Sequence, residues 1–488
     1  MKQRLPQILL AVLGAVVLLA GGVYAGIQIA GPDNSNPSQE IIEAIESSET
    51  GAIKGSSGDG QMQKISQAFG IIQQNYLEEV DDKQLVEGAI EGMLSTLDDP
   101  HSSYMDIEMM EQFDEQIESS FEGIGAEVSM VNDIVTIIAP IKDSPAEKAG
   151  IRPNDQVLSV DGEDLQGLNL NEAVAKIRGE KGTEVVLEIK RSGVEDSFEV
   201  TITRDEIPVE TVYSNMETVD GKKTGIIEIT NFSENTADEF TEQLEALEAD
   251  GMEGLVIDVR ANPGGLLNVA EEILSLFVPS DIPYIQIEDQ NGEKQPYYSN
   301  LEEKKDYPIS VVIDEGSASA SEILAVAMKE LGYDVVGRTS YGKGTVQQAV
   351  PLGDGSSIKL TTFKWLSPNG NWINEEGVEP TIEVSQPDYF YTSPVQVEEP
   401  FTLDQTDTAI SNVQQMLKGL GYEPGRTDGY FSVETEEAVS QFQSEHELEP
   451  TGEVDKETAG VLEAAIVEKI REGNDDRQLE KAMEELYQ

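Results

Sequence analysis

The chain of 488 residues lacks cysteine altogether and has only two histidines, His101 and His446. Without cysteine it can form no disulfide, use no thiol nucleophile and carry no lipid on a cysteine, as lipoproteins do. With histidine so scarce, a catalytic serine would need a different base. The residue pattern indicates no cofactor and no metal site, and we expect the protein to need neither.

Basic residues are also scarce. The chain has 32 lysines and arginines against 94 aspartates and glutamates, which gives a formal net charge of −62. Such a chain would repel phosphates, so its composition argues against nucleic-acid binding. The acidic residues are spread along the sequence rather than confined to one tail, which favours a solvating surface over a specific cation site.

A long apolar run lies near the amino terminus. Lys2 and Arg4 precede the uncharged segment Ile8–Ala25, which is long enough to span a bilayer, and the positive-inside rule places the remaining chain outside the cytoplasm. A cleaved signal peptide is the alternative, because Val23-Tyr-Ala25 loosely resembles a cleavage site, but the run is long for one. We therefore favour an uncleaved transmembrane anchor over residues 1–31.

A turn of small residues joins a strand-like segment to a helical one. Ile309–Ile313 is β-branched and apolar, as expected of a buried strand, and Glu322–Lys329 has helical spacing and strong helix formers. The turn between them, Gly316-Ser-Ala-Ser-Ala-Ser321, can present a serine hydroxyl at a helix N-terminus, where free N–H groups stabilise an oxyanion. This stretch predicts acyl transfer and leaves open which of its three serines reacts.

A lysine is the remaining candidate base. Lys343 lies between two glycines, after the strand-like Asp334–Gly337. A lysine that is buried among apolar groups loses its solvation, so its neutral form becomes accessible near neutral pH and can act as a general base. The segment Ser340-Tyr-Gly-Lys343 is also a formal S-x-x-K motif, as in penicillin-binding enzymes. That motif should open a helix, whereas here it lies between strand-like, glycine-punctuated segments, so we give it less weight.

Together, Gly316-Ser-Ala-Ser-Ala-Ser-Glu322 and Tyr341-Gly-Lys-Gly-Thr-Val-Gln347 resemble motifs of the carboxyl-terminal processing, or tail-specific, proteases. The resemblance covers roughly residues 60–390 and implies a multidomain α/β protein with a crotonase-like protease core. It also implies that Ser319 is the nucleophile, Lys343 the base and Gln347 the residue that orients the lysine. The serine and lysine are 24 positions apart, one fewer than in the family pattern, which a one-residue loop deletion would explain.

The protease core is predicted over residues 206–386, where strand and helix signals alternate. Gly225–Ile229 and Gly254–Val259 have the pattern of strands, and Ala237–Glu248 has that of a helix. The alternation indicates an α/β fold.

The second of these strands runs into Arg260-Ala-Asn-Pro-Gly-Gly-Leu-Leu267, whose two glycines let the backbone approach a ligand closely. A simple helix-entry turn needs the same glycines. The family resemblance makes this turn part of the oxyanion hole, through an N–H of Gly264 or Gly265 beside that of Ala320.

Residues 108–205 have short strands interrupted by two helical pieces. Their order, and motifs such as Gly150-Ile-Arg-Pro-Asn-Asp-Gln-Val157, resemble a PDZ domain, which adds a peptide's carboxyl-terminal strand to its own edge. Arg178 is a candidate gating contact between this domain and the protease, although a charge that favours a helix end explains it equally well. The resemblance implies a peptide-binding loop formed by Gly123, Ile124, Gly125 and Ala126.

Residues 32–60 are polar and aperiodic, which predicts a flexible linker, and helical spacing from Met62 predicts a helical region over residues 61–107. The family resemblance adds the expectation of a homodimer, which this amphipathic helix permits. The motif Asp99-Pro-His-Ser-Ser-Tyr104 also resembles one that precedes the PDZ domain in the same proteases. There the histidine is more often structural than catalytic, so we do not expect His101 to be the base.

The carboxyl-terminal part of the chain begins with a predicted linker at residues 387–405, rich in proline and acidic residues. Residues 406–466 then have the pattern of three short helices, and segments such as Asp428-Gly-Tyr-Phe431 closely resemble a peptidoglycan-binding domain. Most apolar positions there are expected to form its core. Residues 467–488 have the pattern of a charged helical tail without an assignable role.

The sequence as a whole predicts a membrane-tethered serine endopeptidase of the carboxyl-terminal processing type, on the extracytoplasmic side of the cell membrane near the cell wall. Its expected partners are proteins with accessible apolar carboxyl termini, peptidoglycan and the membrane itself. One alternative is a catalytically silent scaffold of PDZ and wall-binding modules. The other is a cell-wall-modifying acyl enzyme that uses Ser340.

Overall fold

The computed structural model describes residues 59–131, 134–191, 194, 196–473 and 475–488. The membrane anchor predicted at residues 1–31 lies outside these ranges, as does the predicted linker at residues 32–60 except for its last two residues. Within the described ranges, no helix combines the length and the apolar character needed to cross a membrane.

Two helices open the described chain, in agreement with the helical spacing of the sequence. Helix α1 spans Asp59–Asn75 and α2 spans Asp82–Leu94. The apolar side chains of Met62, Ile65 and Tyr76 remain exposed in this amino-terminal unit.

The larger unit begins at Met93, within the last turn of α2, and continues with a 3₁₀ turn at Ser95–Leu97, strand β1 at Ser103–Met105 and helix α3 at Ile107–Ile117. A small β-rich domain follows, with β2 (Ser120–Gly123), β3 (Ala126–Val131), β4 (Ile134–Pro140), α4 (Pro145–Lys148), β5 (Gln156–Val160), β6 (Glu163–Asp164), α5 (Leu170–Ile177), β7 (Glu184–Lys190), β8 (Phe198–Thr203) and β9 (Asp205–Pro208). Strands β3, β4, β5, β7 and β8 form one sheet in that order.

Local sequence signals explain this domain. Along β7, Val185, Leu187 and Ile189 point into the core at every second position, as the pleat of a strand requires. Helix α5 starts with a capping box, in which Asn169 and Glu172 each accept the other's backbone N–H. Strands β2 and β9 pair antiparallel, so the chain enters and leaves the domain side by side.

The largest domain contains two sheets. Its elements are β10 (Val212–Val219), β11 (Lys222–Ile229), α6 (Thr236–Ala249), β12 (Gly254–Asp258), α7 (Leu267–Ser275), β13 (Pro283–Glu288), β14 (Lys294–Tyr298), β15 (Ile309–Ile313), α8 (Ala320–Glu330), β16 (Asp334–Gly337), β17 (Thr345–Pro351), β18 (Ser357–Leu366) and β19 (Ile382–Glu383). The alternating pattern of the sequence thus corresponds to a real α/β domain.

The first sheet has the strand order β10-β11-β12-β15-β16-β19 and is parallel except for β10 at its edge. Strands β12 and β15 are buried at every residue, which explains their continuous apolar sequences. Because these two strands are parallel neighbours, their carboxyl ends lie at the same edge of the sheet. The serine turn after β15 and the glycine turn after β12 both begin at that edge.

The second sheet has the order β1-β18-β13-β14, with β17 beside β18, and the sequence analysis did not predict it. Strand β18 pairs with β1, β13 and β17, and its residues are mostly half-buried. The loop that carries Lys343 connects β16 of the first sheet to β17 of the second. The lysine therefore lies where the two sheets meet.

Three helices follow, as predicted: α9 (Thr408–Gly419), α10 (Val433–Glu445) and α11 (Lys456–Arg471). Their core includes Leu417, Phe431 and Phe442. Tyr389 and Val395, from the segment predicted as a linker, are buried in the same core. That segment is therefore packed onto the helical domain.

The chain ends in helix α12, Arg477–Glu485. Ala482 and Met483 of this helix are buried against apolar side chains of the first sheet. The tail predicted at residues 467–488 thus consists of the end of α11 and a helix that covers one face of that sheet.

Candidate active site

Ser319 lies at the junction of β15 and α8. Its backbone has φ 54° and ψ −110°, a conformation that residues other than glycine rarely adopt and that clusters at functional sites. The residue is half-buried. The N–H of Ala320, the first residue of α8, has no acceptor recorded in the described chain. A serine and a free helix N–H therefore lie side by side.

The neighbouring serines have structural roles. The Ser317 hydroxyl donates to the Val259 carbonyl at 2.8 Å and accepts the Asp314 N–H at 3.0 Å. The Ser321 hydroxyl donates to the Asn262 carbonyl at 3.0 Å. Both serines are fully buried. Of the three serines that the sequence left open, only Ser319 is accessible.

The glycine turn before α7 approaches Ser319 closely. A Cβ atom on Gly264 would lie 2.8 Å from Ser319 Cβ and 3.0 Å from the Ala320 nitrogen, so only glycine fits there. The Gly264 N–H donates to Asn262 Oδ1 at 2.9 Å. Gly265 is exposed, and no acceptor for its N–H is recorded in the described part of the chain. Of the two glycines, Gly265 has the available donor.

Two polar residues hold this turn against the serine turn. Asp314 Oδ1 accepts the N–H groups of Ala261 at 2.8 Å and Gly316 at 2.9 Å. The Asn262 carbonyl accepts the Ala318 N–H at 3.0 Å, in addition to the Ser321 hydroxyl. The relative position of the two turns is therefore fixed by hydrogen bonds from both sides.

Lys343 is half-buried in the loop between β16 and β17. Burial lowers the pKa of its ammonium below the ordinary value, and the positive charge of Lys359 lowers it further. Glu322 and Asp99 act in the opposite direction. No hydrogen bond from Lys343 Nζ to any described residue is recorded, Ser319 included. Catalytic hydrogen bonds are often long before substrate binds, so the lysine retains the properties that a base needs.

Glu322 connects the serine turn to the lysine loop. Its fully buried carboxylate accepts the N–H groups of Ser319 and Lys343, each at 2.8 Å, and the Gly342 N–H and Ser340 hydroxyl, each at 2.6 Å. Charge-assisted bonds of this kind are the strong ones in proteins. Sequence reasoning missed this role and treated the residue only as part of a motif. A carboxylate in the third position of α8, a capping-box position, was the available signal.

Gln347, the residue expected to orient the lysine, is bonded to two threonines. It lies on β17 opposite Thr361 of β18, and its amide donates to the hydroxyls of Thr345 at 2.8 Å and Thr361 at 3.0 Å. The cross-strand register directs the side chain towards these threonines, and no hydrogen bond to Lys343 is recorded among the described residues. Its role in orienting the lysine stays a prediction.

Ser340, the nucleophile of the alternative S-x-x-K motif, is buried. Its hydroxyl donates to Glu322 and accepts the Val378 N–H at 2.7 Å. The segment is a loop between strands rather than the start of a helix. The geometry therefore gives Ser340 a structural role.

His101 lies near Lys343, in a loop that is held by hydrogen bonds of Asp99 and Ser102. Burial lowers its pKa, and the charge of Lys343 lowers it further. The loop is held by Asp99, which accepts the His101 N–H at 3.0 Å and the Ser102 hydroxyl at 2.6 Å. The Ser102 oxygen in turn accepts the Thr361 N–H from β18 at 3.0 Å. These contacts are those of a structural loop.

The predicted peptide-binding loop connects β2 to β3. Gly125 has φ 74°, and a Cβ atom on it would lie 2.4 Å from Ser144 Cβ. Its carbonyl accepts the Ser144 hydroxyl at 2.8 Å. Within the described chain, no acceptor is recorded for the N–H groups of Ile124 and Gly125. Together with Gly123 and Ala126 they form a fixed loop with donors available for a carboxylate.

Arg178 follows α5, and its guanidinium carbon lies 4.9 Å from the ring centroid of Phe121 on β2. This contact places it beside the paired strands β2 and β9, which join the small domain to the larger one. Its gating role stays a prediction.

Profiles of four known families match the chain. Residues 223–384 match peptidase family S41, residues 136–191 match the PDZ domain and residues 406–462 match a peptidoglycan binding domain. Residues 16–109 match the N-terminal domain of the activating protease CtpB. The predicted family and both accessory domains are confirmed.

Relatives extend the similarity to the whole chain. The carboxy-terminal processing protease CtpB of Bacillus subtilis (strain 168) is 50% identical over 488 residues, which is 100% of both chains. CtpA of the same organism is 42% identical over 441 residues, 90% of this chain and 93% of the relative. Among solved structures, a photosystem II D1 C-terminal processing protease is 24% identical, with a TM-score of 0.41 over 68% of this chain and 94% of its own.

Proposed function

The chain belongs to peptidase family S41, as a carboxy-terminal processing protease, and from this premise we propose that Ser319 is its nucleophile and Lys343 its general base. The observation that carries the proposal is the serine turn itself. Ser319 is accessible at a helix N-terminus, whereas the hydroxyls of Ser317 and Ser321 are buried and bonded. The lowered pKa of Lys343 supports its role as the base.

The reaction follows from these positions. Neutral Lys343 accepts the hydroxyl proton while Ser319 Oγ attacks the scissile carbonyl carbon. The resulting oxyanion accepts hydrogen bonds from the N–H groups of Ala320 and Gly265. Protonated Lys343 then gives its proton to the leaving amine as the C–N bond breaks, which leaves an ester on Ser319. Lys343 next takes a proton from water, and the resulting hydroxide attacks the carbonyl carbon of the ester. As the bond to Ser319 Oγ breaks, Lys343 returns its proton to that oxygen, which restores both residues.

The PDZ domain supplies substrate recognition in this proposal. The substrate carboxylate accepts the free N–H groups of Ile124 and Gly125, and the preceding residues add a strand to the edge of β3 beside α5. Because a main-chain strand is recognised, affinity comes from backbone hydrogen bonds, and selectivity comes from side-chain pockets. Proteins with accessible apolar carboxyl termini are the substrates that this mode would select.

We place the enzyme on the extracytoplasmic side of a membrane, close to the cell wall. The support is the uncharged run Ile8–Ala25 behind Lys2 and Arg4, together with the peptidoglycan binding domain at residues 406–462. A homodimer through the exposed apolar stripe of α1 is part of the proposal. Sedimentation of the full chain in a mild detergent at several concentrations would show a dimer, and a monomer throughout would remove that part.

Cleavage of an unfolded protein with an apolar carboxyl terminus tests the function. The full chain is compared with its Ser319→Ala and Lys343→Ala variants in salt, because the acidic surface repels acidic substrates. We expect cleavage by the parent only, and slower cleavage when the substrate's last residues are made charged. Cleavage by Ser319→Ala would refute the catalytic assignment, and an inert parent would favour the scaffold.

A further inference from the structure

The last helix of the chain belongs structurally to the catalytic domain. Ala482 and Met483 of α12 pack on the face formed by Ile226, Val256, Val312 and Val336, one residue from each of four parallel strands. The Tyr487 hydroxyl is 2.7 Å from Thr224 Oγ1 on β11. The chain thus passes from the protease core into the peptidoglycan binding domain and then returns to cover one face of the first sheet.

The polar end of this helix meets the strand that leads into the glycine turn. Asp476, the N-cap of α12, accepts the Leu479 N–H at 3.0 Å. The same carboxylate accepts two parallel bonds from Arg260, from Nη1 at 2.8 Å and from Nη2 at 2.7 Å. Gln386 adds a third donor at 2.6 Å. Burial alone would raise the pKa of Asp476, but these partners lower it below its ordinary value.

Every N–H of the Arg260 guanidinium has an acceptor. Asp258 binds the Nε side of the group, with bonds from Nε at 2.9 Å and from Nη2 at 2.5 Å. Asp476 binds the Nη end, and Gln478 Oε1 accepts the remaining Nη1 hydrogen at 3.3 Å. Asp258 alone would neutralise the arginine. What Asp476 adds is geometric, because a second bidentate carboxylate fixes the plane and direction of the guanidinium.

Arg260 is the last residue before the oxyanion turn. Its own N–H donates to Asp258 at 3.0 Å, and the next residue, Ala261, has φ 52°. A non-glycine residue in that conformation persists only where its surroundings hold it. Beyond Ala261, the chain reaches Gly264 and Gly265 within four residues. A shift of Arg260 would therefore move the entry to the turn whose N–H faces the reacting carbonyl in the proposed mechanism.

We propose that Asp476 is a positioning residue for peptide cleavage, and that by holding Arg260 it fixes the entry to the oxyanion turn, so that catalysis depends on the docked carboxyl-terminal tail. This inference rests on the proposed function of Ser319 and Gly265. It also connects the peptidoglycan binding domain to the catalytic turn, because α11 of that domain leads into α12.

The test uses the full chain and a fluorogenic peptide with an apolar carboxyl terminus. Asp476→Asn keeps an oxygen to cap α12 but places an amide donor against the arginine donors. Small displacements of an oxyanion donor are costly, so kcat should fall between about 10- and 100-fold. Because the oxyanion forms only in the transition state, KM should change less than about twofold.

Met483→Ala is the matched control, since it weakens the packing of the same helix and leaves the Asp476–Arg260 bonds in place. Both variants are assayed at a temperature where the emission of buried Trp365 reports a folded core. The control should keep the parent kcat. The proposal is overturned if Asp476→Asn keeps the parent kcat, or if both variants lose kcat equally.

Arg260→Lys decides the matter should Asp476→Asn fail to fold, because it keeps the positive charge between the two carboxylates and loses the bidentate bonds. The same loss of kcat at constant KM is expected, and an unchanged kcat would contradict the proposal. Failure of the proposed function is distinguishable, since it would show as cleavage by Ser319→Ala or as an inert parent.

Discussion

Glu271 gives the sharpest stability prediction, because its buried carboxyl group has no hydrogen-bond partner among the residues that the structure describes. It lies on α7 just after the glycine turn and is 3% exposed. Neither carboxyl oxygen has a hydrogen-bond partner in the described chain. Burial, aided by the charge of Glu272, raises its pKa from 4.5 to about 9. The folded protein therefore holds this proton at neutral pH.

The sign and size of the effect follow from linkage. Above pH 4.5 the unfolded chain releases the proton and the folded chain keeps it, so stability is lost as the pH rises from 4.5 towards about 9. Each pH unit in that window costs about 1.4 kcal/mol. Between pH 5 and pH 8 the loss from this one group is up to about 4 kcal/mol. The negative charge of the unfolded chain raises the pKa of its carboxyl groups and so narrows the difference between the folded and unfolded pKa of Glu271. The figure of about 4 kcal/mol is therefore an upper bound.

Glu271→Gln removes the titration while keeping the shape of the side chain. The free energy of unfolding by urea would be measured for parent and variant at several pH values and at fixed ionic strength. Both tryptophans of the chain, Trp365 and Trp372, lie in the protease core, so their emission reports that domain. The variant should gain stability relative to the parent by up to about 4 kcal/mol between pH 5 and pH 8.

Glu272→Gln is the control, because it removes an exposed carboxylate one residue further along the same helix. It should retain most of the pH dependence of the parent. If Glu271→Gln and the parent lose stability in parallel as the pH rises, the carboxyl group is not buried in its neutral form and the reasoning fails.

Three further predictions concern catalysis. Lys359→Gln removes a positive charge that helps to lower the pKa of Lys343, so the rise of kcat/KM with pH should move to higher pH. An unchanged pH profile would show that Lys343 is not the group whose deprotonation limits the reaction. Glu322→Gln would place an amide N–H against backbone N–H groups that the carboxylate now binds. Activity should fall more than about tenfold and stability by about 3 kcal/mol. A fully active variant would show that catalysis does not need this connection between the serine turn and the lysine loop. Gly265→Ala would place a Cβ atom 2.2 Å from the Phe232 carbonyl oxygen and should abolish turnover. Its control is Gly332→Ala, also at positive φ but in open space, which should lower stability by only about 1 kcal/mol and leave kcat unchanged. Equal kinetics of the two variants would refute the role of the turn.

The sequence predicted the two turns because their chemistry is local. A run of alternating serine and alanine between an apolar strand and a helical segment predicts a tight turn into the helix. The limits of β15 and β16 agree with the predicted segments. The choice of Ser319 needed more. Only the packing of Val259 and Asn262 against the turn shows that Ser317 and Ser321 are occupied.

Long-range contacts account for what the sequence did not reveal. The role of Glu322 depends on a loop about 20 residues further along meeting the start of α8, which no local pattern encodes. Strand β18 mixes lysine and threonine with apolar residues and is half-buried on both faces, so it lacks a clear alternation. The charged helix α12 has few apolar residues, and one of the contacts that hold it on the sheet joins Asp476 to Arg260, 216 positions away in the sequence.

One measurement tests the central claim most directly: turnover of the same fluorogenic peptide by four single variants, in which Ser317, Ser319, Ser321 or Ser340 is replaced by alanine. Trp365 emission would confirm a folded core in each. We predict that only Ser319→Ala loses turnover entirely, while the other three lose stability and keep measurable activity when folded. The account would be contradicted if folded Ser319→Ala turned the peptide over, or if folded Ser340→Ala were the one variant that lost turnover completely.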